Sequence, residues 1–146
     1  AGEPDLTSSV VDPFEVGKIR YLRRGDGDLC ILSYGITMKM AFDVADRIQE
    51  QTGRAPSVVS VHTIKPLDTA GILSALSSHD RVVVMEEHVP HGGLSSRVKE
   101  VAWDNRVRAD LSCFTLKDEF IHYYGDHAGL LDAHGLSAER VIRALV

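Results

Sequence analysis

The chain has 146 residues, 44% apolar and 25% charged, with a formal net charge of −5. That is the balance of an average soluble globular protein, and the length suffices to bury about two thirds of the unfolded surface without staples. No transmembrane run or signal peptide stands out and the basic residues are dispersed, which argues against membrane and nucleic-acid partners and makes a cytoplasmic location the default. Arg20, Arg23 and Arg24 form the one tight basic cluster, expected as a solvated edge. Cys30 and Cys113 each lie in an apolar run and are expected as buried free thiols.

Residues 1–17 read as a linker or N-terminal arm, because Ala1 to Ser9 are nearly free of apolar side chains and Pro4 and Pro13 interrupt regular structure. Such a start is expected of a domain separated from something larger; the domain itself is placed at 18–146. Lys18 to Arg23 alternates polar and apolar residues, Gly25-Asp26-Gly27-Asp28 gives a turn, and Leu29 to Tyr34 follows, which together predict a hairpin. Thr37 is placed to cap a helix with Met38, Ala41, Ala45 and Ile48 on one face and Gly53 just past its end. Ser57 to Val61 is the next strand, and Asp68 is placed to cap a helix bearing Ile72, Leu73, Ala75 and Leu76.

Val82-Val83-Val84-Met85 is apolar throughout, the mark of a strand covered on both faces. Leu94, Val98, Val101 and Ala102 stripe a helix, Leu111 to Thr115 makes the last strand, and Ser137 precedes a terminal helix with Val141, Ile142 and Leu145 on its buried side. Alternating strand and helix units predict a three-layer α/β fold: a five-stranded, mostly parallel sheet with one antiparallel strand, the first, and helices on both faces.

Two segments concentrate chemistry. The first follows the apolar strand: Glu86, Glu87, His88 and His91 lead into Gly92-Gly93-Leu94, at the carboxyl end of a strand where α/β folds place ligands and partners. Adjacent carboxylates can shift each other's pKa and serve acid/base work. The plainer reading is that they solvate the strand end and brace the Gly92-Gly93 turn. Gly92 and Gly93 opening a helix could also hold an anion on free N–H groups, although Glu86 and Glu87 would repel a phosphate. Glu87, His88 and His91 lack a further ligand pattern for zinc. The second segment, Glu119 to His127, carries His122, Tyr123 and Tyr124 after the last strand and reads as an interface loop or as a cover for the core edge. No Gly-x-Ser-x-Gly elbow accompanies the Ser, His and Asp residues, so a hydrolase triad lacks support.

The order of landmarks carries a resemblance: Phe14-Glu15-Val16-Gly17-Lys18-Ile19-Arg20, then Ile64-Lys65-Pro66-Leu67-Asp68, Glu86-Glu87-His88 with Gly92-Gly93-Leu94, and Gly135-Leu136-Ser137. From about Phe14 to Val146 the chain resembles the C-terminal domain of the transketolase family, which includes transketolase, deoxyxylulose-phosphate synthase and the beta chain of the 2-oxoacid dehydrogenases' decarboxylating component. One departure is Ser95, where the family often has a further Gly.

The resemblance implies two-carbon ketol transfer between sugar phosphates by an assembled homodimeric enzyme. Thiamine diphosphate and magnesium would lie between its N-terminal and pyrimidine-binding domains, on the same or another chain, with no cofactor and no catalytic residue in this domain. The domain would stabilise the dimer and frame the substrate approach, with Glu86, Glu87, His88, His91, Gly92, Gly93, His122, Tyr123 and Tyr124 as rim or interface candidates. The Gly25-Asp26-Gly27-Asp28 run begins like the family's metal-and-diphosphate motif but lacks its trailing Asn-Asn and is read as a turn. Alternatives are the C-terminal domain of a 2-oxoacid dehydrogenase beta chain, docking an acyltransferase core, and a free-standing flavodoxin-like module for a small anion at the Gly92-Gly93 turn.

Overall fold

Burial on both faces of the central strands dictates the architecture. In the computed structural model, which describes residues 5–10, 12–122 and 124–146, β2 (Leu29–Ser33) is buried at every position and β4 (Arg81–Met85) at all but its first. Such strands need a helical layer on each side. One layer is α1 (Thr37–Thr52) and α5 (Ala138–Leu145), whose Met38, Ala41, Val44, Val141 and Ile142 pack on Leu29, Ile31, Val83 and Met85. The other is α2 (Thr69–Ser78) and α3 (Leu94–Asp104), whose Ile72, Leu76, Leu94 and Val98 pack on Cys30, Leu32, Val82 and Val84.

The sheet is completed by β1 (Arg20–Arg23), β3 (Ser57–Ser60) and β5 (Asp110–Phe114), in the order β1-β3-β2-β4-β5. Pairings are parallel except between β1 and β3. The five-stranded mixed sheet expected from the sequence is therefore present, but the expected hairpin is not. β1 and β2 are separated by β3, and the Gly25–Asp28 segment packs instead on the loop between α1 and β3. There Gly27 N donates to the Ala55 carbonyl at 2.9 Å, Ala55 N donates to Asp26 Oδ1 at 2.8 Å, and a Cβ on Gly25 would lie 1.9 Å from the Ala55 oxygen.

Helix starts explain other differences. Thr37 is the first helical residue, not the cap; its hydroxyl donates to the Tyr34 carbonyl at 2.7 Å and lies 2.8 Å from Ser33 Oγ. Gly53 ends α1 at φ 73°, the left-handed conformation glycine tolerates best. Ser137 precedes α5 without a side-chain cap bond. A short helix that the sequence reading did not assign, α4 (His127–Ala133), begins where the expected Glu119–His127 loop ends; Asp126 starts it by accepting from Gly129 N at 2.8 Å. Cys30 is buried, Cys113 half-buried, and both are free thiols.

The direction of the connections creates a switch point. From β2 the chain crosses to β3 by way of α1 on one face, whereas β3 to β4 and β4 to β5 run the other way by α2 and α3 on the opposite face. The loops leaving β2 and β4 diverge, and in open α/β sheets the crevice between such loops receives ligands.

Asp68 ties the antiparallel edge to this frame. Its carboxylate, nearly buried, accepts from Ile19 N at 2.9 Å and Gly71 N at 3.1 Å, joining the approach to β1 to the start of α2. Asp68→Asn would place an amide N–H₂ against at least one of these donors, and a loss of roughly 1–3 kcal/mol in urea denaturation is expected. An unchanged midpoint would show that the two donors find other acceptors.

Candidate functional site: a buried carboxylate at the switch point and a charged rim

The crevice between β2 and β4 is closed by the chain's own side chains. Tyr34 leaves β2 and Glu86 leaves β4, and the Tyr34 hydroxyl donates to Glu86 Oε2 at 3.1 Å. Glu86 is fully buried. Leu94 N donates to its Oε2 and Ser95 N to its Oε1, each at 2.7 Å, and the Ser95 hydroxyl donates to Oε1 as well. Four donors thus meet the roughly four lone-pair directions of one carboxylate. Two are amides of the first turn of α3, where the helix carries partial positive charge, so the anion is held by donors and dipole without a cation.

The two glycines before α3 serve different needs. Gly92 has φ 81° and takes the left-handed turn. Gly93 has ordinary φ, but a Cβ there would lie 2.3 Å from Glu86 Oε2. Together they let the strand-end carboxylate enter the helix start. An anion on the Gly92-Gly93 turn would need the amides of Leu94 and Ser95, and Glu86 occupies both, so the small-anion module loses its site.

Glu87, His88 and His91 are separated from this network. Glu87 points to the rim, where His127 Nε2 lies 3.0 Å from both of its oxygens and links the end of β4 to the start of α4. The His88 carbonyl accepts from Leu116 N at 2.9 Å, and its ring Nδ1 lies 2.8 Å from the Val89 carbonyl. His91 is exposed, as are His122 and Tyr124; Tyr123 lies outside the described residues. Bracing of the Gly-Gly turn, expected of Glu86, Glu87 and His88 together, therefore falls to Glu86. Tyr34 was not foreseen, nor was the pairing of Ser95 with Glu86 or of His127 with Glu87. Donors eight and nine positions beyond a buried acid follow no secondary-structure period, and Tyr34 comes from another strand.

Beside the rim, a groove of about 690 Å³ runs between α1, α4 and α5, with Ile36, Lys39, Arg47, His127, Leu131 and Glu139 among its lining and Leu6 of the arm laid against it. Arg47 and Glu139 bridge it at 2.9 Å. Among the described residues no three His, Cys, Asp or Glu side chains gather as metal ligands. The Gly25–Asp28 run has its Asp26 carboxylate and carbonyl bonded to Ala55 N and Arg54. These residues do not fit a diphosphate-and-metal cradle, so no chemical step is assigned to them.

The model of the family described as "Transketolase, C-terminal domain" matches residues 17–141. The chain belongs to that family. It is 37% identical over 117 residues to a 1-deoxy-D-xylulose-5-phosphate synthase of Rippkaea orientalis, covering 80% of this chain and 18% of that protein. To transketolase-like protein 1 of Bos taurus it is 29% identical over 136 residues, covering 92% and 22%. The chain spans about a fifth of the length of the curated relatives it matches. Among solved structures it is similar to a split gene transketolase described as an inactive beta4 tetramer, with TM-score 0.82 and 29% identity over 99% of this chain and 45% of that one. A transketolase from Campylobacter jejuni, at TM-score 0.66 and 15% identity over 95% of this chain and 20% of that one, shares the fold.

Glu86→Gln keeps the shape and replaces two accepting oxygens by one, and is expected to cost roughly 2–4 kcal/mol. Gly93→Ala should cost a comparable amount, because four donors keep the carboxylate from retreating. Urea denaturation of both variants checks this, and loss below about 1 kcal/mol in each would show that the network is soft.

Tyr34 gives a second measurement. Burial, and after it the charge and hydrogen bond of Glu86, push its hydroxyl from 10.0 up to about 12. A phenol whose pKa rises on folding holds its proton more firmly in the folded chain, so its contribution is whole below pH 10.0 and is lost as the pH climbs toward 12. The stability difference between the wild type and Tyr34→Phe should therefore shrink across that window. Cys30, also raised by burial to about 12, titrates alike in both proteins and cancels. A difference that stays constant to the top of the window would refute the coupling.

Proposed function

We propose that this chain is the C-terminal domain, or the corresponding part of a split subunit, of a thiamine-diphosphate-dependent enzyme that transfers two-carbon ketol units between sugar phosphates. The observation that carries the reading is the likeness, over 99% of this chain, to a split gene transketolase chain. Residues 1–17 act as the arm that links the domain to its N-terminal and pyrimidine-binding partners, on the same or another chain, and the domain contributes to the homodimer and to framing the active site. Thiamine diphosphate and magnesium, held by the partner domains, supply the carbanion chemistry. The residues of this chain position and exclude. Glu86, Tyr34 and Ser95 keep the crevice of the sheet closed, and Glu87, His88, His127 and Tyr124 present a charged and aromatic rim at its carboxyl edge. A cytoplasmic location accords with this role.

The identities of 35–37% to 1-deoxy-D-xylulose-5-phosphate synthases favour one second reading, in which the assembled enzyme is such a synthase.

Co-expression with the N-terminal portion of a transketolase or of a deoxyxylulose-phosphate synthase tests both. Ketol transfer is expected from the first mixture, and product from the second would select the synthase. Silence of both mixtures, with the two parts shown to associate, would refute the proposal. In the active mixture, Glu87→Gln should lower kcat/KM several-fold while leaving the melting temperature nearly unchanged, because an exposed Glu–His pair contributes about 1 kcal/mol or less to stability. Unchanged kinetics would remove Glu87 from the active-site frame.

A further inference from the structure

The two edges of the sheet are treated differently. At β1 the ladder carries a bulge between Tyr21 and Arg23, Arg20 Nε donates to the Asp12 carbonyl of the arm at 2.7 Å, and Arg23 and Arg24 line the strand. Bulges, charge and covering chain are the devices that keep an edge from pairing with another sheet. β5 has no bulge, and its one charge is Asp110 at its first position. Its register with β4 is regular from Asp110 to Phe114, its sequence Asp-Leu-Ser-Cys-Phe carries no Lys, Arg or Pro, and none of its residues is buried.

The direction of its free groups follows from the bonds it makes. Asp110 N donates to the Asp80 carbonyl at 3.0 Å and the Phe114 carbonyl accepts from Glu86 N at 3.1 Å, so residues 110, 112 and 114 face β4. The N–H and C=O groups of Leu111 and Cys113 point away from the sheet, and among the described residues no hydrogen bond reaches them. Charge along this edge is polar in the other sense. Arg106 and Arg108 precede the strand, with exposed Trp103 beside Val107 and Leu111, whereas Asp118 and Glu119, the latter paired with Lys117 at 3.3 Å, follow it, with Phe120 exposed. An edge that is basic and aromatic at one end and acidic and aromatic at the other complements its own reverse.

We propose that β5 pairs with β5 of a second copy of this chain, antiparallel about a twofold axis at Ser112. Leu111 of each copy then stands opposite Cys113 of the other, and the four outward-facing amides and their carbonyls close the ladder. Both side chains belong to the same face of the sheet as α3, so the pair is apolar. In this register Arg106 of one copy stands opposite Asp118 of the other. The surface gives a place to the dimerisation proposed above and rests on that part of the reading.

Sedimentation velocity of the full chain tests it, with a concentration-dependent dimer expected for the wild type. Cys113→Pro removes an N–H that faces away from β4, and Leu111→Lys puts a charge at the centre of the seam; each should weaken the dimer roughly tenfold or more while the thermal transition stays cooperative. Where the proline variant fails to fold, the lysine variant decides. In a Cys113→Ser background, oxidised Ser112→Cys should run as a covalent dimer, because residues facing each other across such an axis have Cα atoms about 4.5 Å apart. A wild-type chain that stays monomeric, a dimer untouched by either variant, or Ser112→Cys that stays unlinked would each overturn the pairing. A monomeric chain that still complements a partner in the activity assay would overturn the pairing and leave the enzymatic proposal standing, while a β5-dependent dimer without complementation would do the reverse.

Discussion

A carboxylate without a cation, buried where β4 meets α3, constrains the rest of this domain. Glu86 can be buried there because α3 begins on it: two first-turn amides and the Ser95 hydroxyl replace its water at the positive end of the helix dipole. The demand propagates outward. Gly93 must lack a Cβ for the carboxylate to fit, Gly92 must take a left-handed turn to bring the amides round, and Tyr34 must reach across from β2. A related arrangement recurs at α2, where nearly buried Asp68 accepts from Gly71 N and lies 3.8 Å from Lys18 Nζ, and where a Cβ on Gly71 would lie 2.3 Å from its Oδ2. Two helices on one face of the sheet therefore start on acids supplied by the chain ahead of them.

This arrangement bears on what the domain can do. In many α/β folds the switch point is an open crevice with free helix N-terminal amides, and that is what makes it a ligand site. Here it is spanned by the Tyr34–Glu86–Ser95 network, and the helix-start amides are spent on an internal anion. The polar side chains left to solvent stand at the rim, where Glu87 and His127 are half in water. A closed interior with a charged rim is what the proposed framing role calls for.

The sheet and both helical layers were legible because burial leaves a strong sequence trace. All-apolar Val82 to Met85 announced a strand covered twice, and the stripes of α1, α3 and α5 fell at helical spacing. Strand order was less legible. Adjacency in the chain favoured a β1–β2 hairpin, but β1 pairs with β3, and the Gly-Asp-Gly-Asp run that looked like a hairpin turn is held by the Ala55 backbone. At the site, Glu86, Glu87 and His88 read as one polar cluster because alternation along an extended chain sends neighbours to opposite sides, and nothing in three consecutive polar letters says which one enters the core. Its partners were hidden for a related reason: Tyr34 is distant in the chain, and a serine opening a helix reads as a cap.

Ser95 shows how such a departure is absorbed. Where the family pattern often has Gly, a hydroxyl here points at Glu86 and supplies the fourth donor. With glycine, the carboxylate would keep three donors and one lone-pair direction would be left to water or to nothing. In a fully buried site that direction is costly, since an unmet acceptor forfeits about 1–3 kcal/mol. The residue that departs from the expected pattern therefore completes the shell around Glu86, and does so without a Cβ clash, because residue 95 already lies inside the helix and its side chain turns toward the strand end.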